Sequence, residues 1–323
     1  MSRMTRLVLA LALVVPVPVL RAQTPFDQPR SVPLALSDSV QETIDRIAVH
    51  RVGFASPSGG RATGLLFLPT GPGRHPAVLV GHGAPGSAAG FATMTTALAM
   101  ARSGAVTFAL DAPHARREGP PIRFTVEDSI EQVQLAVDWR RAIDWLQSRP
   151  DVDPERIGYI GNSYGGAQGA LLVGIDPRIV AAVLRVGDGG FLAHFTDPCD
   201  SAVTATRSID GCLRWDLDEA MLPTADRDTW AAMMRPIEPI RFVGRSRAQL
   251  LFQNGHDDPL VPPRRAERLH AAAPSGATVR WYASGHRLPP EALIDGIRFL
   301  VEPLGLAPPD AAFDRWLESR TTR

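Results

Sequence analysis

The stretch Arg156-Ile157-Gly158-Tyr159-Ile160-Gly161-Asn162-Ser163-Tyr164-Gly165-Gly166 constrains this chain more than any other. It reads as an apolar strand running into a glycine-flanked turn, followed by a helix from about Gln168 to Gly174. Gly161-Asn162-Ser163-Tyr164-Gly165 has the spacing G-x-S-x-G. A serine at the apex of such a turn sits in a strained backbone conformation with its hydroxyl projecting away from the sheet. Glycines two residues to either side are needed because strand and helix approach too closely there for a Cβ. The helix N-terminus beneath the serine offers free N–H groups and a positive dipole end where an oxyanion can be stabilised. A serine that merely caps a helix after a strand is the plain alternative, and the surrounding chain has to decide between the two.

What surrounds it is an alternation of strands and helices. Ile47–Phe54 and Arg61–Leu68 read as two strands joined by Pro57-Ser58-Gly59-Gly60, which is hairpin chemistry. Pro76-Ala77-Val78-Leu79-Val80 is a continuous apolar run of the kind buried on both faces of a parallel sheet, and Val106–Leu110 is a second buried strand. A helix is expected over Phe91–Arg102 between them. Thr125-Val126-Glu127-Asp128 resembles a capping box, and Ala136, Trp139, Ile143 and Leu146 recur behind it at helical spacing as a core stripe. Strands over Ile179–Val186, Gln249–Phe252 and Thr278–Tyr282 continue the pattern, with helices near Pro263–Ala272 and Pro289–Val301. The fold class is therefore α/β: a mostly parallel central sheet with helices on both faces. Ligands in such sheets sit at the carboxyl ends of the strands.

The chain divides into a leader (1–22), an arm (23–47) that reads as irregular from Gln23 to about Ser39, one domain (48–306) and a tail (307–323) with a short amphipathic helix from Pro308. An insertion at 188–247 has a different character, holding both cysteines, Trp215, Trp230 and Met233-Met234, and reads as a small lid. In the leader, Arg3 and Arg6 precede the apolar run Leu7–Leu20, and Leu20-Arg21-Ala22 offers a cleavage site before Gln23. Export to the periplasm or the medium is expected, with no stable membrane insertion after the leader is removed. Cys199 and Cys212 are consistent with a disulfide, worth roughly 3 kcal/mol in the chain-entropy model, or with two free thiols.

Of the 323 residues, 34 are basic and 34 acidic, so net charge is zero and no nucleic-acid or polyanion partner is suggested. Every basic residue is arginine. The absence of lysine excludes a Ser/Lys dyad, a lysine Schiff base and a P-loop lysine.

A serine hydroxyl becomes a nucleophile when a histidine oriented by a carboxylate takes its proton, and in this topology the order is Ser, Asp or Glu, His. Downstream of Ser163, the strand at Leu251-Phe252 ends in a loop with Asp257 and Asp258, and the last strand ends in Gly285-His286. His286 is the candidate base. His270 lies within a helix and reads as a surface residue; His256 is too close to the acid loop; His50 and His75 lie away from strand carboxyl ends. Gly255-x-x-Asp258-x-x-Val261-Pro262 favours Asp258 as the acid, with Asp257 and then Asp188 as alternatives. The oxyanion donors are expected to be the N–H of Tyr164, after the nucleophile, and that of Ala84 in His82-Gly83-Ala84-Pro85-Gly86, since Pro85 has none. His82 itself reads as structural.

Ile143-Asp144-Trp145-Leu146, Val152-Asp153-Pro154-Glu155-Arg156-Ile157-Gly158 and Gly161-Asn162-Ser163-Tyr164-Gly165-Gly166 together resemble the α/β-hydrolase superfamily. Within it the likeness is to the branch of dienelactone hydrolases, acetyl xylan esterases and the catalytic domains of prolyl oligopeptidases. His82-Gly83 and Gly255-x-x-Asp258 match the same pattern, so the resemblance covers roughly Ala48 to Leu306. Dienelactone hydrolases use cysteine where this chain has Ser163, and prolyl oligopeptidases carry a propeller that the residues before the domain are too few to form. The resemblance implies hydrolysis of a small-molecule ester through an acyl-enzyme, with no metal or organic cofactor. A small-substrate peptidase or amidase would use the same triad, and a catalytically silent binding protein on this fold is the alternative of another class. Phe191, Phe195, Trp215, Met221, Leu222 and Trp230 read as lid core or as an acyl pocket, the core reading being preferred. Arg116, Arg117 and Arg123 read as a solvated loop, with contact to an anionic or polyhydroxylated substrate as the alternative.

Overall fold

Every residue of strand β4 (His75–Gly81) after the first is buried, which requires a layer on each face of it. The alternation of its side chains meets that requirement. Ala77 and Leu79 belong to a cluster with Trp139, Ile143 and Leu146, whereas Val78 and Val80 belong to one with Leu98, Ile297 and Leu300. Each such aliphatic side chain contributes roughly 2 kcal/mol when fully buried.

The structure, a computed structural model, describes residues 24–27, 33–192 and 224–321. In it β1 (Ser37–Ile44), β2 (Ile47–Ala55), β3 (Arg61–Leu68), β4, β5 (Val106–Leu110), β6 (Val152–Asn162), β7 (Ile179–Arg185), β8 (Gln249–Gly255) and β9 (Thr278–Tyr282) form one sheet. Its order is β1-β2-β3-β5-β4-β6-β7-β8-β9. The pairs β1–β2, β2–β3 and β3–β5 are antiparallel; every pair from β5 to β9 is parallel. The helices described are α1 (Phe91–Arg102), α2 (Val126–Ser148), α3 (Tyr164–Ile175), α4 (Thr224–Met234), α5 (Pro263–Ala272), α6 (Pro290–Leu304) and α7 (Ala311–Thr321). Side chains of α2, α3 and α5 pack on one face of the sheet, and those of α1, α6 and α7 on the other. From β4 the chain moves out to β5 and then returns to β6 on the far side of β4. The carboxyl ends of β4 and β6 therefore flank the switch point where a crevice opens.

Two expectations need correcting. The arm is not irregular throughout, because Ser37–Ile44 pairs antiparallel with β2 as an edge strand and Phe26 is fully buried, 5.3 Å from the Phe242 ring. The strand went unseen because SDSVQETI is exposed on both faces and so carries no apolar period. The helix behind the elbow begins at Tyr164, not near Gln168. The amphipathic tail helix is present, and its Phe313 and Leu317 are buried.

The leader, both cysteines, Phe195, Trp215, Met221 and Leu222 lie outside the described residues. What is described of the 188–247 insertion is ordered packing. Helix α4 is followed by three short 3-10 turns, and Phe191, Trp230, Met234, Ile237 and Phe242 form a cluster with Phe26, Ala136 and Leu171. Phe191 and Trp230 are thus core residues. Asp128, at the start of α2, accepts from the Thr125 N–H (3.2 Å) and from Trp230 Nε1 (2.9 Å), tying helix cap and insertion together.

Glu238, buried in this insertion, accepts the Phe191 and Leu192 N–H groups at Oε1 (2.7 and 3.2 Å). Burial pushes its carboxyl up to about 7, with the nearby Asp188 charge adding to the effect. A carboxyl raised in the native state keeps a proton that the unfolded chain has already lost. Its contribution is therefore complete below the unfolded value of 4.5 and is lost as pH rises to about 7. The penalty above pH 7 is on the order of 3 kcal/mol. Glu238→Gln keeps an acceptor without the charge, so melting temperatures across pH 4.5–8 should fall less steeply than in the wild type. A slope identical to wild type would count against this account.

Candidate active site

Ser163 follows β6 with φ +55° and ψ −116°, a conformation that a side chain tolerates only when its surroundings impose it. The constraints are visible. Ser163 N–H donates to Arg185 O (2.8 Å), and Ala167 N–H donates to Ser163 O (3.0 Å). A Cβ on Gly161 would lie 2.3 Å from Gly165 O, and one on Gly165 would lie 2.4 Å from the carbonyl atoms of Gly81. The Tyr159 hydroxyl donates to the Gly165 carbonyl (2.6 Å) and locks strand to helix.

The loop after β4 is held by β5. His82, buried, accepts the Ala112 N–H at Nε2 (2.9 Å), which leaves its proton on Nδ1, 2.8 Å from the Gly83 carbonyl. Burial holds this imidazole below its ordinary range, so it stays neutral and structural. Asp111, at the end of β5, accepts Ala88 N–H at Oδ1 (2.8 Å) and the Thr63 hydroxyl at Oδ2 (2.9 Å). Sequence reasoning gave Asp111 no role. The loop passes beside the nucleophile, since a Cβ on Gly83 would lie 3.5 Å from Ser163 Cβ. Neither the Tyr164 nor the Ala84 amide N–H has a hydrogen-bond partner among the described residues.

Asp258 and His286 come from the loops after β8 and β9. Asp258 Oδ1 accepts the Leu260 and Val261 N–H groups (2.9 and 3.0 Å), and its Oδ2 lies 2.8 Å from His286 Nδ1. The Asp258 carboxylate is fully enclosed, whereas the His286 side chain is 22% exposed. His286 Nε2 lies 2.8 Å from Ser163 Oγ. A carboxylate that only accepts places the imidazole proton on Nδ1, leaving Nε2 to accept the serine proton. Ser163, His286 and Asp258 thus meet at one rim of the sheet.

The other candidates do not converge there. Asp257 is exposed, and Asp188 lies 3.7 Å from Arg265. His270 is not a surface residue: it is half-buried, its Nε2 3.0 Å from Asn254 Oδ1 and its ring 4.7 Å from that of Phe252, because α5 packs against the sheet. Burial brings its imidazole down to about 4. His256 stacks on Trp281 at 5.2 Å. The three loop arginines are engaged internally, Arg116 with Asp138 (2.7 Å) and both Arg117 and Arg123 with Glu131 (2.6 and 2.5 Å).

A cavity of about 940 Å3 opens between α1 and α6, with Gly83, Asn162, Arg185 and His286 on its wall. Arg185 was missed in the sequence. The available signal was a lone arginine closing the otherwise apolar strand Ile179-Val180-Ala181-Ala182-Val183-Leu184.

The family model described as alpha/beta hydrolase family matches residues 77–295. Among solved structures, an acetyl xylan esterase from Paenibacillus sp. R4 superposes with a TM-score of 0.67 at 21% identity, covering 83% of this chain and 88% of that one. Acetyl xylan esterase 1 from Thermoanaerobacterium sp. JW/SL YS485 superposes with a TM-score of 0.71 at 16% identity, covering 86% and 91%. Likenesses at these identities establish the fold. The alpha/beta hydrolase domain-containing protein WAV2 of Arabidopsis thaliana is 28% identical over 142 residues, 44% of this chain and 42% of its own length. The chain spans about two fifths of the length of the curated relatives it matches.

Proposed function

The chain belongs to the α/β-hydrolase family, and on that premise we propose that it is a serine hydrolase of small carboxylic esters. Ser163 is the nucleophile, His286 the general base and Asp258 the group that orients the imidazole. The observation that carries this reading is the pair of 2.8 Å hydrogen bonds linking Asp258, His286 and Ser163. As Ser163 Oγ attacks the ester carbonyl, its proton passes to His286 Nε2, and Asp258 stabilises the imidazolium. The carbonyl oxygen becomes an oxyanion held by the free N–H groups of Tyr164 and Ala84. Collapse expels the alcohol, protonated by His286, and leaves an acyl-enzyme. Water, activated by the same imidazole, then releases the acid. Short acyl groups are the starting expectation, because the structural neighbours named above are acetyl xylan esterases.

The deciding experiment is covalent labelling by a fluorophosphonate probe, with the modified peptide mapped. Labelling at Ser163, lost in Ser163→Ala, is expected, together with hydrolysis in a p-nitrophenyl ester chain-length series and little turnover of the matching anilides. An unlabelled, folded protein would support a binding module on this fold instead. Rapid anilide turnover would support the amidase. Recovery of the labelled protein from periplasm or medium with Gln23 as its first residue is the outcome expected of the leader at 1–22.

A further inference from the structure

Position 185 carries a cation that the proposed chemistry leaves unused. Arg185 closes β7, and by alternation its side chain shares a face with Ala181 and Val183, which pack on the side of α1 and α6. That is the side on which the cavity lies, and Arg185 stands on the cavity wall with Asn162 and His286. Its backbone carbonyl holds the Ser163 N–H at 2.8 Å, so the side chain departs from a point fixed relative to the nucleophile.

Among the described residues nothing neutralises the guanidinium. Its Nε is buried without a hydrogen-bond partner, and Arg185 forms no ion pair among the described residues. Carboxylates on the adjoining elements are committed elsewhere. Asp258 serves His286 (2.8 Å), Asp188 lies 3.7 Å from Arg265, and Asp295 serves Arg280 (2.8 Å) and the Tyr282 hydroxyl (3.0 Å). No aspartate or glutamate is on the cavity wall among the described residues, whereas a second arginine, Arg287, is. Burial holds the Arg185 guanidinium down to about 10, which still leaves it cationic at neutral pH. A buried charge with no protein partner is costly to keep, and a planar donor fork fits a carboxylate in bidentate geometry. A merely structural arginine would be expected to have found its partner in the fold, as Arg116 and Arg117 have.

We propose that Arg185 recognises a carboxylate on the ester substrate, so that the site prefers hemiesters of dicarboxylic acids, or esters otherwise bearing a carboxylate near the scissile bond, over neutral esters. This rests on the hydrolase reading above and names its substrate class. Binding of the remote carboxylate would set the ester carbonyl against Ser163, which is how a polar site discriminates against an analogue lacking the recognised group.

The test compares mono-p-nitrophenyl glutarate and adipate with p-nitrophenyl valerate and hexanoate at low salt, after subtraction of the enzyme-free rates. In the wild type at least one anionic ester should exceed its neutral counterpart at least tenfold in kcat/KM. The anionic-to-neutral ratio should fall at least tenfold in Arg185→Met and severalfold in Arg185→Lys, which keeps charge but loses the fork. Because the readout is a ratio, a general loss of activity cancels. A wild-type preference for the neutral esters overturns the proposal, and so does an Arg185→Met ratio within twofold of wild type. Calorimetric binding of monomethyl glutarate against methyl valerate, in Ser163→Ala and in Ser163→Ala/Arg185→Met, needs neither turnover nor a stable Arg185→Met single variant. Tighter binding of the hemiester that requires Arg185 supports the proposal, and equal binding overturns it. Absence of both fluorophosphonate labelling and ester turnover, with the calorimetric preference for the hemiester intact, would defeat the hydrolase reading alone.

Discussion

Ser163→Ala, His286→Ala and the double variant are expected to fall to one common floor, with kcat on p-nitrophenyl acetate lower by about 10^4 to 10^6 in all three. The reason is that the two side chains act as one unit. With Nε2 of His286 2.8 Å from Ser163 Oγ, both tasks of the imidazole in acylation, taking that proton and handing it to the leaving alcohol, depend on attack by Ser163. Once either is gone, the other has nothing left to contribute. KM should move far less than kcat, because neither group is proposed to hold the substrate in its ground state. Asp258→Asn should lose roughly 10^4 by a different route. The residue's Oδ1 is occupied by the Leu260 and Val261 N–H groups, so a substituted amide would turn its NH2 toward His286 Nδ1 and favour the wrong tautomer. Losses that add between Ser163→Ala and His286→Ala, or a His286→Ala enzyme retaining several per cent of wild-type kcat, would mean that the observed hydrogen bonds are not the catalytic ones.

The parts of this molecule that could be read from sequence are those in which one local pattern has one physical solution. Val78-Leu79-Val80 and Ala181-Ala182-Val183-Leu184 are unbroken apolar runs too short for helices and flanked by glycine or charge, and strands buried on both faces are what such runs become. The serine turn was legible because its glycines answer a steric demand. Where neighbouring elements decide, the sequence was mute. Gly165-Gly166 has poor helix propensity and reads as loop, yet the helix starts at Tyr164 because the close approach to Gly81 admits only glycine in that first turn. His270 looked like a surface position until α5 was placed against β8. Two adjacent aspartates offer no linear signal to separate them; burial does, since Asp258 is 2% exposed and Asp257 open to solvent. Arg185 is the extreme case. Nothing in its neighbours announces that the face it occupies borders a cavity rather than core.

Gly165→Ala is expected to be among the most damaging single-carbon changes in the described residues outside the triad. A Cβ at 165 would lie 2.4 Å from both the carbonyl carbon and oxygen of Gly81, and 2.9 Å from its Cα. These are backbone atoms of the central strand β4, which is paired on both sides, to β5 and β6, so they cannot swing aside as a side-chain tip would. Relief requires α3 to lift from the sheet. That movement would break the Tyr159 hydroxyl bond to Gly165 O (2.6 Å) and carry Ser163 away from His286. Overpacking of this kind costs about 3 kcal/mol or more, against a gain of at most about 1 kcal/mol from alanine's better helix propensity. The expected result is a melting temperature lower by several degrees, with fluorophosphonate labelling of Ser163 slowed at least tenfold in whatever folds. Gly276→Ala supplies the control, since a Cβ there meets nothing within 4 Å; it should leave both readouts unchanged or gain slightly in stability. If Gly165→Ala melts and labels like the wild type, strand and helix are not held as closely as their glycines imply, and the strained serine at the centre of the proposed mechanism loses its support.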